Sequence, residues 1–220
     1  KSGAEGARAH ADRLIDMVEA IAAQSPGKWA IATSPDAVLA NQRAGRMSIA
    51  MGIENGAALE SDLGNVRHFF ERGVRYVTLT HGKNNLIGDS SYEKADNRKW
   101  HGLSPFGREV VAEMNRLGIL VDLSHVSDET FDAALAATKA PPIVSHSSCR
   151  FFTPGFERNL DDGRIRALAE KGGVLQINFG SAFLTAAANR NSTERNAAVA
   201  KFAREKGVAE DSPEADAFEA

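Results

Sequence analysis

Two hydrophobic patterns alternate along most of the chain. Short continuous apolar runs are typical of strands buried in a sheet, and they occur at 48–53, 74–80, 119–123, 143–145 and 174–179. Segments with apolar residues at helical spacing precede or separate these runs; they lie at 5–24, 35–44, 60–72 and 105–117, and after Ser127 and Asp161 or Asp162. The pattern therefore predicts an α/β protein.

Capping residues mark several of the helix boundaries. Ser104 followed by Pro105 predicts a helix start, and Gly118 predicts the end of the same helix. Asp128 and Glu129 follow Ser127 directly, and their negative charges suit the positive end of a helix.

The alternation of strands and helices predicts parallel strands joined by helical crossovers. Five strands could belong to a doubly wound open sheet or to a (β/α)8 barrel, which needs eight strands and about 250 residues. No glycine-rich phosphate-binding sequence follows the first strand, and polar residues gather at every strand end. We therefore favour an α/β fold of the (β/α)8 TIM-barrel type, with part of the barrel missing from this stretch.

Three residues of metal-ligand type stand where apolar runs stop. Glu54 ends the run SIAMGI, His125 follows ILVDL, and His146 follows PPIV. One carboxylate and two imidazoles suit a borderline-soft divalent cation such as zinc. An ion pair or a helix cap is the alternative for Glu54, and a hydrogen-bonded structural role is the alternative for a histidine at a strand end.

His81 and Arg158 are further candidates. His81 ends the second strand and precedes a polar loop, 82–103, whose length indicates a functional lid or rim. This histidine could be a fourth ligand, a donor to a developing oxyanion, or a structural residue. Arg158 could bind a substrate carboxylate with two hydrogen bonds, or it could form a surface ion pair with Asp161 or Asp162.

Composition excludes several classes of function. The net charge is −3 with the charges interspersed, which argues against a nucleic-acid partner. No apolar run is long enough to span a bilayer. A single cysteine, Cys149, excludes an internal disulfide and a thiolate-rich metal site. The chain is predicted to comprise a partial barrel domain, 1–184, and a charged helical insertion or tail, 185–220, with a helix near 192–206.

Several motifs together resemble a known family. In order, the segments GIENG, RYVTLTH, HGLSPFGREVVAEMNRLGILVDLSHVS, PPIVSHSSCR and RNLDD are similar to the membrane (renal) dipeptidase family of zinc peptidases. The family has many bacterial members, and we expect this chain to be part of one of them. The match covers about 48–179. The resemblance implies a barrel with two zinc ions that hydrolyses small dipeptides through a metal-bridging hydroxide, and it leaves room for a homodimer.

The resemblance also implies a role for each candidate residue. Glu54 corresponds to the glutamate that bridges both zinc ions, and His125 and His146 correspond to ligands of one of them. His81 corresponds to the catalytic histidine that contacts the substrate and the tetrahedral intermediate. Arg158 corresponds to the arginine that binds the C-terminal carboxylate of the substrate.

Two family motifs have no counterpart in the expected places. No predicted strand before Glu54 carries the His-x-Asp motif that supplies the other ion's ligands, and no Gly-Ser-Asp-Phe-Asp-like stretch follows later. We expect the remaining ligands and the proton-shuttling aspartate to lie outside this stretch. Two alternatives stay open: a barrel amidohydrolase acting on a cyclic amide, a lactone or an N-acyl amino acid, and a degenerate barrel that binds a ligand without turnover.

Overall fold

A five-stranded parallel sheet organises the chain. The structure is a computed structural model that describes residues 6–209, 212–214 and 218. Within these residues the sheet follows the chain order β3-β4-β5-β6-β7, with strands β3 Met51–Glu54, β4 Val74–Thr78, β5 Leu120–Asp122, β6 Ile143–Ser147 and β7 Val174–Ile177. The predicted α/β class is confirmed, and this sheet has five parallel strands within the described residues, against the eight that a closed barrel requires.

The strand register brings the carboxyl ends of the strands to one edge. Glu54 of β3 pairs with Thr78 of β4, and Thr78 pairs with Asp122 of β5. Asp122 in turn pairs with Ile143, so the last residues of β6 lie at the same edge of the sheet. Side chains that follow these strands therefore meet there, as the sequence pattern predicts.

A separate two-stranded parallel sheet was not predicted. The apolar run 48–53 divides between β2, Met47–Ile49, and β3, and β2 pairs with the strand β1, Trp29–Ile31. β1 is only three residues long, too short to produce a recognisable alternation of polar and apolar positions. The prediction of one continuous strand at 48–53 is therefore wrong.

Helices cover the sheet and connect its strands. Within the described residues they are α1 Ala7–Gln24, α2 Pro35–Arg43, α3 Gly64–Glu71, α4 Pro105–Leu117, α5 Asp128–Ala137, α6 Asp162–Glu170, α7 Ser181–Leu184 and α8 Ala186–Lys206. α8 begins earlier than the predicted 192. Residue 5 of the first predicted helix and the ends of the predicted domains 1–184 and 185–220 lie outside the described residues, and that domain division stays a prediction.

The predicted caps satisfy the first backbone N–H groups of three helices. Ser104 Oγ accepts from Gly107 N at 2.8 Å, and Ser127 Oγ accepts from Thr130 N at 3.2 Å. For α6 the capping residue is Asp161, not Asp162, because its carboxylate accepts from the N–H of Arg164 at 2.9 Å. Such caps fix where each helix starts and hence where the preceding strand-end loop must lie.

The core lies between the sheet and helices α3 to α5. Its fully buried members include Phe69 of α3, Met114 of α4 and Val77 and Val121 of the central strands. Burial of these side chains holds the central strands in place and thereby the residues at their carboxyl ends. None of the described helices combines the length and the hydropathy that a bilayer-spanning segment requires.

Candidate metal centre

Glu54, His125 and His146 converge at the carboxyl edge of the sheet. Glu54 Oε1 lies 3.1 Å from His125 Nε2 and 3.0 Å from His146 Nε2. The two Nε2 atoms lie 2.7 Å apart. The three residues come from β3, from the residues just beyond β5, and from β6 itself, so the parallel register assembles a cluster from positions far apart in sequence.

The electrostatic environment keeps both imidazoles neutral. Burial lowers the pKa of His125 to about 2, and the positive charge of Arg158 acts in the same direction. Burial also lowers the pKa of His146, with Arg158 again adding to the effect. Neutral imidazoles each offer one nitrogen lone pair, which is the form that binds a cation.

The donor set fits a divalent metal ion. One ligand atom from each of Glu54, His125 and His146 lies within 4.8 Å of the other two. Two imidazole nitrogens and one carboxylate oxygen are ligands that zinc accepts. The chemistry and spacing of these residues therefore suit a zinc-like ion.

His125 and Asn55 adopt backbone conformations that side chains rarely take. Their φ angles are +67° and +83° respectively. Histidine and asparagine tolerate this left-handed region better than most residues. Asn55 Oδ1 accepts hydrogen bonds from Ala57 N and from Asn85 Nδ2, both at 3.1 Å, which stabilise the turn after Glu54. Backbone strain of this kind is common where a site must orient a side chain.

His81 lies beside the cluster rather than within it. Its Nε2 is 3.8 Å from Glu54 Oε1, and its ring centroid is 4.4 Å from that of His125. The side chain of His81 is 48% exposed, against 7% for His125. An exposed imidazole beside a buried cluster can reach a molecule that binds there.

Arg158 is buried close to the same cluster. Its side chain donates from Nη1 to Ser147 Oγ at 2.6 Å, whereas Nε and Nη2 have no hydrogen-bond partner within the described part of the chain. The guanidinium carbon lies 5.2 Å from the ring centroid of Phe183. Burial lowers the pKa of Arg158, while the neighbouring Tyr92, Asp122 and Glu54 act in the opposite direction. The Tyr92 hydroxyl is close to the guanidinium without meeting hydrogen-bond geometry at Nε or Nη2, so both donors can turn to an anionic ligand.

The alternative of a surface ion pair for Arg158 is wrong. Arg158 is only 2% exposed. Asp161 instead pairs with Arg164, and its carboxylate is also 3.7 Å from Arg150.

The loop 82–103 is held by a buried carboxylate. Asp89 is fully buried, and it accepts hydrogen bonds from Lys99 N at 2.8 Å and from Trp100 N at 2.9 Å. The indole of Trp100 donates to the carbonyl of Asn85 at 2.8 Å. The loop is thus internally cross-linked, which suits a fixed rim better than a hinged lid.

Sequence reasoning missed three residues beside the site. Asp122 is fully buried at the end of β5, and Ser145 precedes His146 on β6. Tyr92, on the long loop, places its ring centroid 5.9 Å from that of His125. Asp122 had a usable signal, because an acidic residue inside the apolar run ILVDL needs polar partners; Tyr92 had none.

A literal His-x-Asp sequence also occurs outside the cluster. His10 and Asp12 lie on helix α1, where Asp12 contacts His68 Nε2 and Arg72 Nη1, both at 2.8 Å. The structure thus places this sequence on a helix, where its aspartate stabilises the contact between α1 and α3.

Comparison with known proteins identifies the family. The model of the membrane dipeptidase family, peptidase family M19, matches residues 2–208. The chain belongs to the membrane dipeptidase family. The resemblance seen in the strand-end motifs is thereby confirmed, whereas a bacterial origin stays a prediction.

Relatives of this membrane dipeptidase family member are known in fungi and bacteria. An uncharacterized dipeptidase of Schizosaccharomyces pombe is 40% identical over 163 residues, covering 74% of this chain and 39% of its own length. The probable dipeptidase PvdM of Pseudomonas aeruginosa superposes with a TM-score of 0.77 at 28% identity, covering 86% of this chain and 48% of PvdM.

A third relative carries a bound ligand. It is a metallo peptidase of Rhodobacter sphaeroides, liganded with a phosphinate mimic of the dipeptide L-Ala-D-Ala, and it superposes with a TM-score of 0.71 at 28% identity. The alignment covers 81% of this chain and 50% of that protein. The chain therefore spans about two fifths of the curated relative and about half of these solved structures.

Proposed function

We propose that this chain is part of a zinc-dependent dipeptidase that hydrolyses the peptide bond of small dipeptides. One observation carries the proposal: a carboxylate and two neutral imidazoles converge beside a buried guanidinium with unused donors. Metal ligands and an anion-binding group at one edge match a substrate that has a scissile amide next to a free carboxylate. Membership of the dipeptidase family supports the same reaction.

Glu54, His125 and His146 would hold the metal. We expect two zinc ions in the whole protein, with Glu54 between them. When bound, zinc activates a water molecule for attack and polarises the scissile carbonyl. The chain's own contribution is to fix the three ligand atoms at the sheet edge and to keep both imidazoles neutral, so that each ring has one nitrogen free of a proton for the cation.

His81 and Arg158 would act on the substrate. The exposed imidazole of His81, 3.8 Å from Glu54 Oε1, would donate a hydrogen bond to the oxygen on which negative charge develops. The two unused donors of Arg158 would bind the free carboxylate of the dipeptide, and the Phe183 ring supports one face of the guanidinium. The buried Arg158 favours a dipeptide over a cyclic amide or a lactone, since neither of these carries a carboxylate.

The test uses the full-length protein, freed of metal and then reloaded with zinc. Metal content per chain and turnover of a panel of L-L and L-D dipeptides are measured together. We expect about two zinc ions per chain, as two-metal hydrolysis requires, and turnover that depends on them. Glu54→Gln should lose zinc and activity, whereas the exposed Glu170→Gln on α6 should lose neither. A zinc-saturated protein that turns over no dipeptide contradicts the proposal. A homodimer stays a prediction that the same preparation tests by its solution mass.

A further inference from the structure

Asp122 has an unusually complete set of hydrogen bonds for a buried carboxylate. Its Oδ1 accepts from the backbone N–H groups of Ser124 at 3.0 Å and Ser145 at 2.9 Å. Its Oδ2 lies 2.6 Å from both Thr78 Oγ1 and Ser145 Oγ. No cationic side chain forms an ion pair with this carboxylate in the described part of the chain, so its hydrogen bonds come from hydroxyl and backbone donors, while the charge of Arg158 acts on it from farther away.

The Ser145 hydroxyl connects Asp122 to His146. Ser145 Oγ lies 2.7 Å from His146 Nδ1. A hydroxyl has one proton to donate, and the carboxylate of Asp122 can only accept it. Ser145 Oγ must then accept from His146, which requires the proton of the neutral imidazole to sit on Nδ1.

This arrangement determines the chemistry of the opposite ring nitrogen. With the proton on Nδ1, His146 Nε2 keeps its lone pair, and this is the atom 3.0 Å from Glu54 Oε1. We propose that Asp122 is a positioning residue that, through the Ser145 hydroxyl, holds His146 in the tautomer whose Nε2 can bind a cation. The inference deepens the proposed function and depends on it for the identity of the cation alone.

Within the described residues, His125 lacks the hydrogen bond at Nδ1 that fixes the tautomer of His146. His125 Nδ1 is buried without a hydrogen-bond partner among the residues that the structure describes. The orientation of His125 therefore comes from its left-handed backbone and from ring contacts with His81 and Tyr92. Because the Nε2 atoms of the two rings lie 2.7 Å apart, the rings are coupled. A change at Asp122 or Ser145 that moves the His146 proton to Nε2 should therefore also shift the His125 proton from Nε2 to Nδ1.

Asp122→Asn tests the direction of the hydrogen bonds. The two backbone N–H groups require the amide oxygen at the Oδ1 position, so the amide NH2 takes the Oδ2 position. Its two N–H bonds can then point to Thr78 Oγ1 and Ser145 Oγ, and only the hydroxyl proton of Thr78 loses its acceptor. Ser145 now accepts from the amide and donates to His146 Nδ1, which moves the imidazole proton to Nε2. An Asp→Asn change next to a functional histidine is known to act through such a tautomer reversal.

The experiment measures the tautomer directly in the full-length, metal-free protein. Selective ¹⁵N labelling of histidine distinguishes protonated from unprotonated ring nitrogens by NMR. We expect Nδ1–H at His146 in the wild type, Nε2–H in Asp122→Asn, and a mixture in Ser145→Ala. Thr78→Ala is the matched control, because it removes another donor from the same Asp122 oxygen without touching the histidine; its tautomer should stay as in the wild type.

Zinc titration of the same proteins gives the second measurement. Asp122→Asn and Ser145→Ala should bind zinc about 10- to 100-fold more weakly, as is typical when a group that orients a metal ligand is lost. Ser145→Thr keeps the hydroxyl and should restore both the tautomer and the affinity. If Asp122→Asn or Ser145→Ala does not fold, the zinc affinity and tautomer of the other variant still test the positioning role.

The outcomes separate this inference from the proposed function. A His146 that keeps Nδ1–H in Asp122→Asn, or wild-type zinc affinity in both variants, overturns the positioning role while leaving the dipeptidase proposal intact. A tautomer reversal in a protein that binds no zinc supports the positioning role and overturns the proposed function.

Discussion

Replacing Arg158 with methionine should separate the stability of the protein from its activity. The side chain is 2% exposed, with one hydrogen bond to Ser147 and two guanidinium nitrogens without a partner in the described residues. Methionine has a similar length and no polar atoms to bury. The substitution therefore removes an incompletely satisfied charge together with the proposed carboxylate-binding group.

Arg158→Met should leave the stability of the protein unchanged or higher, and it should lower the activity. Removing two buried donors that lack partners lifts a penalty of about 1–3 kcal/mol each, and losing the bond to Ser147 costs about 1 kcal/mol. Ser147 Oγ also keeps its contact with the carbonyl of residue 158 at 3.2 Å. The free energy of unfolding should thus stay unchanged or rise. Losing the charge-assisted hydrogen bonds to a substrate carboxylate should cost about 3 kcal/mol, which lowers kcat/KM about 150-fold.

The assay compares each dipeptide with its C-terminal amide in the full-length protein. Wild type should prefer the free carboxylate, and Arg158→Met should lose that preference because its activity falls only on the acid. Urea unfolding measures stability in parallel. Arg166→Met on α6 is the control. The side chain of Arg166 is 72% exposed, and its ion pair with Asp162, at 3.9 Å, is a weak one at the surface. If Arg158→Met unfolds more easily by about 2 kcal/mol or more and still prefers the free acid, the reasoning is refuted.

Three further predictions concern packing, the long loop and the metal. Gly107→Ala would put a Cβ 2.1 Å from the carbonyl oxygen of Ile87 and should destabilise the protein by about 3 kcal/mol. Gly118→Ala has a strained backbone but open space around the new Cβ, so it should destabilise the protein by only about 1 kcal/mol. Equal losses of stability in urea unfolding would contradict this prediction. Asp89→Ala leaves the backbone N–H groups of Lys99 and Trp100 without their acceptor, so unfolding should become about 2 kcal/mol easier and hydrogen exchange should become faster in the loop. Unchanged exchange there would argue against the anchoring role. Zinc at about 100 times its Kd should stabilise the metal-free full-length protein by about 2.7 kcal/mol, and Glu54→Gln should lose most of this stabilisation. If zinc stabilises Glu54→Gln as much as the wild type in thermal unfolding, the metal binds elsewhere.

Most of the fold was predictable because its signals are local. Caps such as Ser104 and Asp161 and the helix end at Gly118 act through neighbouring backbone groups. The apolar runs mark where the strands of the main sheet lie, but they do not report burial at its last strand, where β7 is largely exposed. The pairing of β1 with β2 was not predictable, since two three-residue strands carry too little pattern and their pairing depends on how the chain folds back.

The outer residues of the site were also predictable, for a simple geometric reason. Parallel strands end at one edge, so Glu54, His125 and His146 had to come close once the sheet order followed the chain. Their distances, and the burial that keeps the imidazoles neutral, depend on side chains from several elements. Arg158 shows the limit: its loop sequence allowed a surface pair, and only the packing around it reveals a buried guanidinium.

The site has an inner layer, Thr78, Asp122 and Ser145, beneath the outer layer of ligand residues Glu54, His125 and His146. The inner layer explains how the ligand atoms of the outer layer can lie so close together. Thr78, Asp122 and Ser145 form a continuous hydrogen-bonded row across β4, β5 and β6, one step inside the ligand atoms. The row leaves Ser145 Oγ as the acceptor for His146, so the ring faces Glu54 with its lone pair rather than with a proton. A carboxylate inside an apolar strand is costly to bury unless donors surround it, and here those donors also orient a ligand. An acidic residue three positions before a strand-end histidine, as in Asp-Leu-Ser-His, is therefore a sequence signal for the inner layer, and the ligand that it orients lies on the neighbouring strand.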